Sequence, residues 1–136
     1  MIPFATLLSV EELIAKAKEA RERAYAPYSN FRVGAALMTK RGNLYLGCNV
    51  ENGSYGLTLC AERVAIASAV AGGEREFEAL AIVTGAADPT PPCGACRQFI
   101  YEFSPALTII TANLSGVFRQ VKARDLLPEA FELKRP

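Results

Sequence analysis

A chain of 136 residues, 51% apolar and 21% charged, has the length and composition of one globular domain, not of a disordered or fibrous protein. Its formal net charge of +1, with Glu mixed among Lys and Arg in the densest charged stretch at 16–23, argues against nucleic acid or an anionic membrane as its main partner. No apolar stretch is long enough to span a bilayer, and the start MIPFATLLSVEEL lacks the basic segment and cleavage site of a secretory leader, so a cytoplasmic protein with reduced cysteines is expected.

Ser9 and Glu12 have capping-box spacing, and the charged, alanine-rich run behind them predicts an amphipathic helix that ends before Pro27. Residues 32–39 (RVGAALMT) and 43–48 (NLYLGC) read as two strands, turning around Lys40, Arg41 and Gly42. Residues 49–59 (NVENGSYGLTL) carry turn residues without periodicity and read as a loop. From Cys60 to Ala71, apolar residues occupy nearly every helical face until Gly72 and Gly73 stop the run, which predicts a buried helix.

Residues 78–84 (EALAIVT) form a third strand, 85–92 a loop, and a helix starts near Cys93 and runs to about Glu102. Residues 108–112 and 117–121 pair as a hairpin-like unit, a parallel arrangement staying open, and 122–127 suggest a short terminal helix. Strands interleaved with helices, without repeat or linker, predict one domain over residues 1–136. Its class is α/β, a three-layer α/β/α sandwich around a mixed, roughly five-stranded sheet.

The chain contains no histidine. An enzyme built this way needs a carboxylate, a thiol, a lysine or a metal-bound water for proton transfer near neutral pH. Cys60, Ala61 and Glu62 open one predicted helix, and Cys93 and Cys96 lie one turn apart at the start of another, where free N–H groups and the dipole favour thiolate. Two such helix starts could converge on one cation, and three sulfurs would leave the fourth tetrahedral position of zinc open, as catalytic sites do. A lone C-x-x-C is equally compatible with a structural zinc site or a redox pair. No second C-x-x-C accompanies it, and its place at residue 93 does not suit a thioredoxin-like motif. Glu62 is costly to bury unpaired; it reads either as a proton shuttle beside a metal or as an ion-pair partner of Arg63 or Arg97.

CAE at 60–62 followed by PCGAC at 92–96 resembles the zinc deaminase pattern, in which a His or Cys, then Glu, precedes P-C-x-x-C. GCNVEN, CAERVA and PCGACRQ are more specifically similar to the small, homotetrameric, all-cysteine cytidine deaminases of the cytidine and deoxycytidylate deaminase superfamily. The resemblance runs from YAPYSNFRVGAAL at 25–37 to LLPEAF at 126–131. It implies one zinc per chain on Cys60, Cys93 and Cys96. It also implies a zinc-bound hydroxide that attacks the amino-bearing carbon of cytidine or 2′-deoxycytidine, with Glu62 shuttling protons.

By the same resemblance Arg63 offsets the excess thiolate charge, and Asn49 and Glu51 bind the ribose 3′-hydroxyl. Phe31 packs against the pyrimidine, and the Ala61 backbone meets its carbonyl or amide edge. Phe131 covers the base in a neighbouring subunit's site, with Tyr55 near that interface, against the alternative that Phe131 covers its own core. Cys48 is the spare cysteine, expected as buried filler. A deaminase of another aminopyrimidine nucleoside, such as blasticidin S, shares CAE and PCxxC. A zinc-stabilised binding module is the non-enzyme alternative, in which Glu62 is dispensable.

Overall fold

The computed structural model describes residues 7–134; residues 1–6 and 135–136 lie outside the described residues, and the reading of the first residues as free of a leader falls partly on them. Helix α1 (Val10–Arg21) starts on the expected capping box: the Ser9 hydroxyl accepts from the Glu12 N–H, and the Glu12 carboxylate accepts from the Ser9 N–H, both at 3.1 Å. The reciprocal bonds satisfy two donors that a helix start otherwise leaves free.

Strands β1 (Val33–Thr39) and β2 (Leu44–Cys48) form an antiparallel hairpin. Helix α2 (Ala61–Ala71) leads to β3 (Phe77–Thr84), helix α3 (Gly94–Phe103) to β4 (Thr108–Ala112), and β5 (Phe118–Lys122) closes the sheet. The order is β2-β1-β3-β4-β5; β3 and β4 run parallel and every other pair antiparallel, so the sheet is mixed as expected. The β4–β5 pair is the antiparallel hairpin, and a 3₁₀ turn (Ala123–Leu126) stands where the terminal helix was expected.

Alternation divides the strand side chains between two cores. Leu37, Leu80, Ile82 and Ile109 pack with Ala65, Ile66 and Ile100 of α2 and α3. Ala36, Ala81, Val83 and Ile110 pack with Leu13, Ile14 and Ala17 of α1 on the opposite face. These are the three layers the sequence predicts, each helix presenting one apolar side to the sheet.

Two expectations are corrected. Helix α2 is not buried all round: Ala61, Glu62, Ala65, Ile66 and Ala69 face the interior, while Ala67, Ser68 and Ala71 are exposed. The sheet covers one side of the helix, and the chain's own elements leave the outer side uncovered. Cys48, expected as buried filler, is half-buried at the end of edge strand β2. The loop at 49–59 is confirmed, with one 3₁₀ turn (Tyr55–Leu57) inside it. Among the described residues, no helix is long and apolar enough to cross a membrane.

Candidate active site

Helices α2 and α3 begin side by side at one end of the sheet, and each is capped by a cysteine. Cys60 is the N-cap of α2 and Cys93 that of α3, where the Cys93 sulfur accepts from the Cys96 N–H at 3.4 Å. The Cys60, Cys93 and Cys96 sulfurs lie within 4.8 Å of one another, with Cys60 and Cys93 3.9 Å apart. Three ligands of a tetrahedral zinc, at about 2.3 Å from the metal, stand about 3.8 Å apart, so the donor set fits that ion.

The electrostatics agree. The hydrogen bond from Cys96, with the Arg63 guanidinium adding to it against the effect of burial, pulls the Cys60 thiol down to about 5. Cys96 is driven upward by donating to Cys60 and by its burial. Negative charge is thus favoured on Cys60 over Cys96, and a divalent metal held by these sulfurs would favour the thiolate form of its ligands. Cys48 stands apart from the trio, and burial pushes its thiol up.

Glu62, in the first turn of α2, is only 5% exposed. Burial raises its carboxyl pKa, and the nearby Cys60 charge adds to the rise. It is not held as the ion-pair partner of either arginine. Arg97 donates to the carbonyls of Pro92 (2.8 Å) and Leu126 (3.0 Å), and Arg63 to the Thr58 carbonyl (3.1 Å) and the Cys60 sulfur (3.6 Å). Arg63 thus sits where thiolate charge needs an offset.

A cavity of about 270 Å³ opens beside the sulfurs, lined by Cys60, Ala61, Glu62 and Cys93 together with Phe31, Asn49 and Glu51. The fold therefore brings Phe31, Asn49, Glu51, Ala61 and Glu62 to one space beside the three cysteines. Asn49 is already engaged: its Oδ1 accepts from the Val33 N–H at 2.9 Å and its Nδ2 donates to the Phe31 carbonyl at 2.8 Å. One amide hydrogen and one lone pair remain for a ligand. Glu51 accepts from the backbone N–H groups of Tyr28 (2.9 Å) and Ser29 (3.1 Å) and from the Ser29 hydroxyl. The Ser29 bond contributes most to lowering its pKa.

Phe131 is outside this cavity. It is 69% exposed, in a separate crevice with Tyr101 and Pro105, and its carbonyl accepts from Gln98 Nε2 at 3.1 Å. It does not cover its own chain's core. Tyr55 is 76% exposed and meets Tyr28 edge-on, with ring centroids 6.1 Å apart.

Sequence reasoning missed four hydroxyls that line the cavity: Ser29, Thr58, Thr84 and Thr90, the last two 3.1 Å from one another. Ser29 alone had a usable signal, its place in the YSNF stretch just before β1.

The family model for the cytidine and deoxycytidylate deaminase zinc-binding region matches residues 8–112. Cytidine deaminase of Sporosarcina psychrophila is 50% identical over 125 residues, covering 91% of this chain and 92% of that protein. The probable cytidine deaminase of Dictyostelium discoideum is 41% identical, covering 90% and 83%. A crystal structure of cytidine deaminase from Burkholderia pseudomallei superposes with a TM-score of 0.90 at 54% identity, covering 91% of this chain and all of that one.

Proposed function

This chain belongs to the cytidine and deoxycytidylate deaminase family, and from that premise we propose that it hydrolyses the ring C–NH₂ bond of cytidine and 2′-deoxycytidine. The products are uridine or deoxyuridine and ammonia. The observation that carries this reading is Glu62, a buried carboxyl beside three metal-binding sulfurs on the wall of a cavity with room for a nucleoside.

One zinc ion on Cys60, Cys93 and Cys96 supplies the Lewis acidity that makes water nucleophilic near neutral pH, a function this histidine-free chain has no imidazole to share. Glu62 would accept the two protons of the attacking water in turn, delivering the first to the ring nitrogen next to the amino-bearing carbon and the second to the departing amino group. Burial suits it to that work, because a raised pKa lets a carboxyl hold a proton as well as release one. Arg63, donating to the Cys60 sulfur, reduces the excess negative charge that would weaken the metal as an acid.

Phe31 packs on the pyrimidine, the Ala61 backbone meets its polar edge, and Asn49 and Glu51 receive the sugar hydroxyl. The cavity lining among the described residues includes no lysine or arginine, which favours a nucleoside over a nucleotide or nucleic acid. The chain acts as a cytoplasmic homotetramer in which Phe131, with Tyr55 close by, completes a neighbour's site.

The test follows ammonia release from cytidine, 2′-deoxycytidine, cytosine, adenosine and blasticidin S. Turnover of the first two is expected. Preference for blasticidin S, or no release from any of the five, would overturn the reading.

A further inference from the structure

The segment that carries Phe31 is held by polar contacts far more than by packing. Tyr28 is 56% exposed and Phe31 42%, so little buried surface fixes this stretch over the cavity. Its four consecutive N–H groups account for its position instead. Those of Tyr28 and Ser29 donate to Glu51 Oε1, and that of Asn30 to the Ala26 carbonyl at 3.0 Å. That of Phe31 donates to the Ser29 hydroxyl at 3.0 Å, and the same hydroxyl donates to Glu51 Oε2. Three of the four therefore end on Glu51, directly or through one serine.

We infer that Ser29 is a positioning residue that latches the base-packing Phe31 segment to the sugar-binding carboxylate of Glu51, so that base and sugar recognition are coupled. This rests on the nucleoside reading given above. A Glu51 that served the sugar alone would matter only to substrates offering a hydroxyl. A Glu51 that also anchors the segment matters to every cytosine nucleoside, because losing the anchor frees Phe31. Ser29 suits the part because a hydroxyl can accept from one group while donating to another. Alanine at this position leaves the Phe31 N–H without its acceptor and removes one of the three donors to Glu51.

The experiment compares cytidine with 3′-deoxycytidine, which lacks the hydroxyl assigned to Glu51, on the zinc-loaded full chain. Ser29→Ala should raise KM for both substrates by the same factor, about three- to tenfold for a charge-assisted bond near solvent. Its kcat and zinc content should stay near wild type, and Ser29→Thr should restore KM. Glu51→Gln keeps the shape but loses the charge and one acceptor oxygen. It should also raise KM for 3′-deoxycytidine, and it carries the test alone if Ser29→Ala does not fold. A wild-type KM for 3′-deoxycytidine in the folded variants would overturn the latch while leaving the deaminase reading intact. A wild-type protein that releases no ammonia from cytidine would overturn both.

Discussion

Gly47 of β2 lies so close to Ala61 of α2 that a Cβ built on it would stand 2.3 Å from the Ala61 carbonyl oxygen and 2.6 Å from the Ala65 nitrogen. Both neighbours are helical backbone, which cannot swing aside as a side chain would. The glycine therefore sets how near α2 approaches the sheet, and Cys60, the cap of that helix, takes its place from the same contact. Gly47→Ala must push the start of α2 outward. Overpacking of this kind typically costs about 1–3 kcal/mol. A lower melting temperature and faster zinc loss to a chelator are expected; wild-type behaviour in both would show that the cap does not depend on this contact.

Much of this was legible because it is local. The capping box of Ser9 and Glu12, the short, nearly continuous apolar runs of β1 and β3, and the C-x-x-C at the start of α3 each announce themselves within a few residues. What was not legible depends on residues distant in sequence. Asn49 spends most of its amide on Val33 and Phe31, and Glu51 spends its carboxylate on Tyr28 and Ser29, some twenty positions earlier. No spacing rule reports that. The Thr84–Thr90 hydroxyl pair joins the end of β3 to the loop before Cys93, and its meaning exists only once that loop has folded back. The burial of α2 was overread for a related reason: an apolar face shows that something must cover it, not that the same chain does.

The metal assignment predicts different fates for two cysteines. Cys93→Ser removes one of the three clustered sulfurs, and elemental analysis should then show zinc falling well below one per chain, with a lower melting temperature. Cys48→Ser touches a half-buried thiol outside the cluster and should keep a ratio near one. Zinc lost from the Cys48 variant, or retained in the Cys93 variant, would refute this choice of ligands.

Glu62 should show a split between activity and stability. Positioned acid–base catalysis is worth roughly 10²–10⁴-fold, and here one carboxyl serves several transfers. Glu62→Gln should cut kcat by at least that factor while zinc stays bound. Because burial disfavours the charged carboxylate, the neutral amide should leave the melting temperature unchanged or raise it. Turnover close to wild type, or a collapse of the fold, would return Glu62 to a structural role.

The exposed aromatics decide whether sites are shared. Phe131 at 69% exposure and Tyr55 at 76% are costly to leave in water, as is the outer side of α2 at Ala67 and Ala71. A neighbouring copy that covers them would also close the cavity over the base and keep bulk water from the reaction. Light scattering should then report four copies of the 14.7 kDa chain, and Phe131→Ala should raise KM for cytidine at constant zinc content. The sharper measurement co-assembles Phe131→Ala chains with Glu62→Gln chains. If Phe131 acts in trans, a site with intact Glu62 on the first chain receives an intact Phe131 from the second, and a low-KM population returns. If Phe131 serves its own chain, each mixed site keeps one defect and no such population appears. That second result, or a fully active monomer, would end the shared-site assignment and leave the zinc chemistry standing.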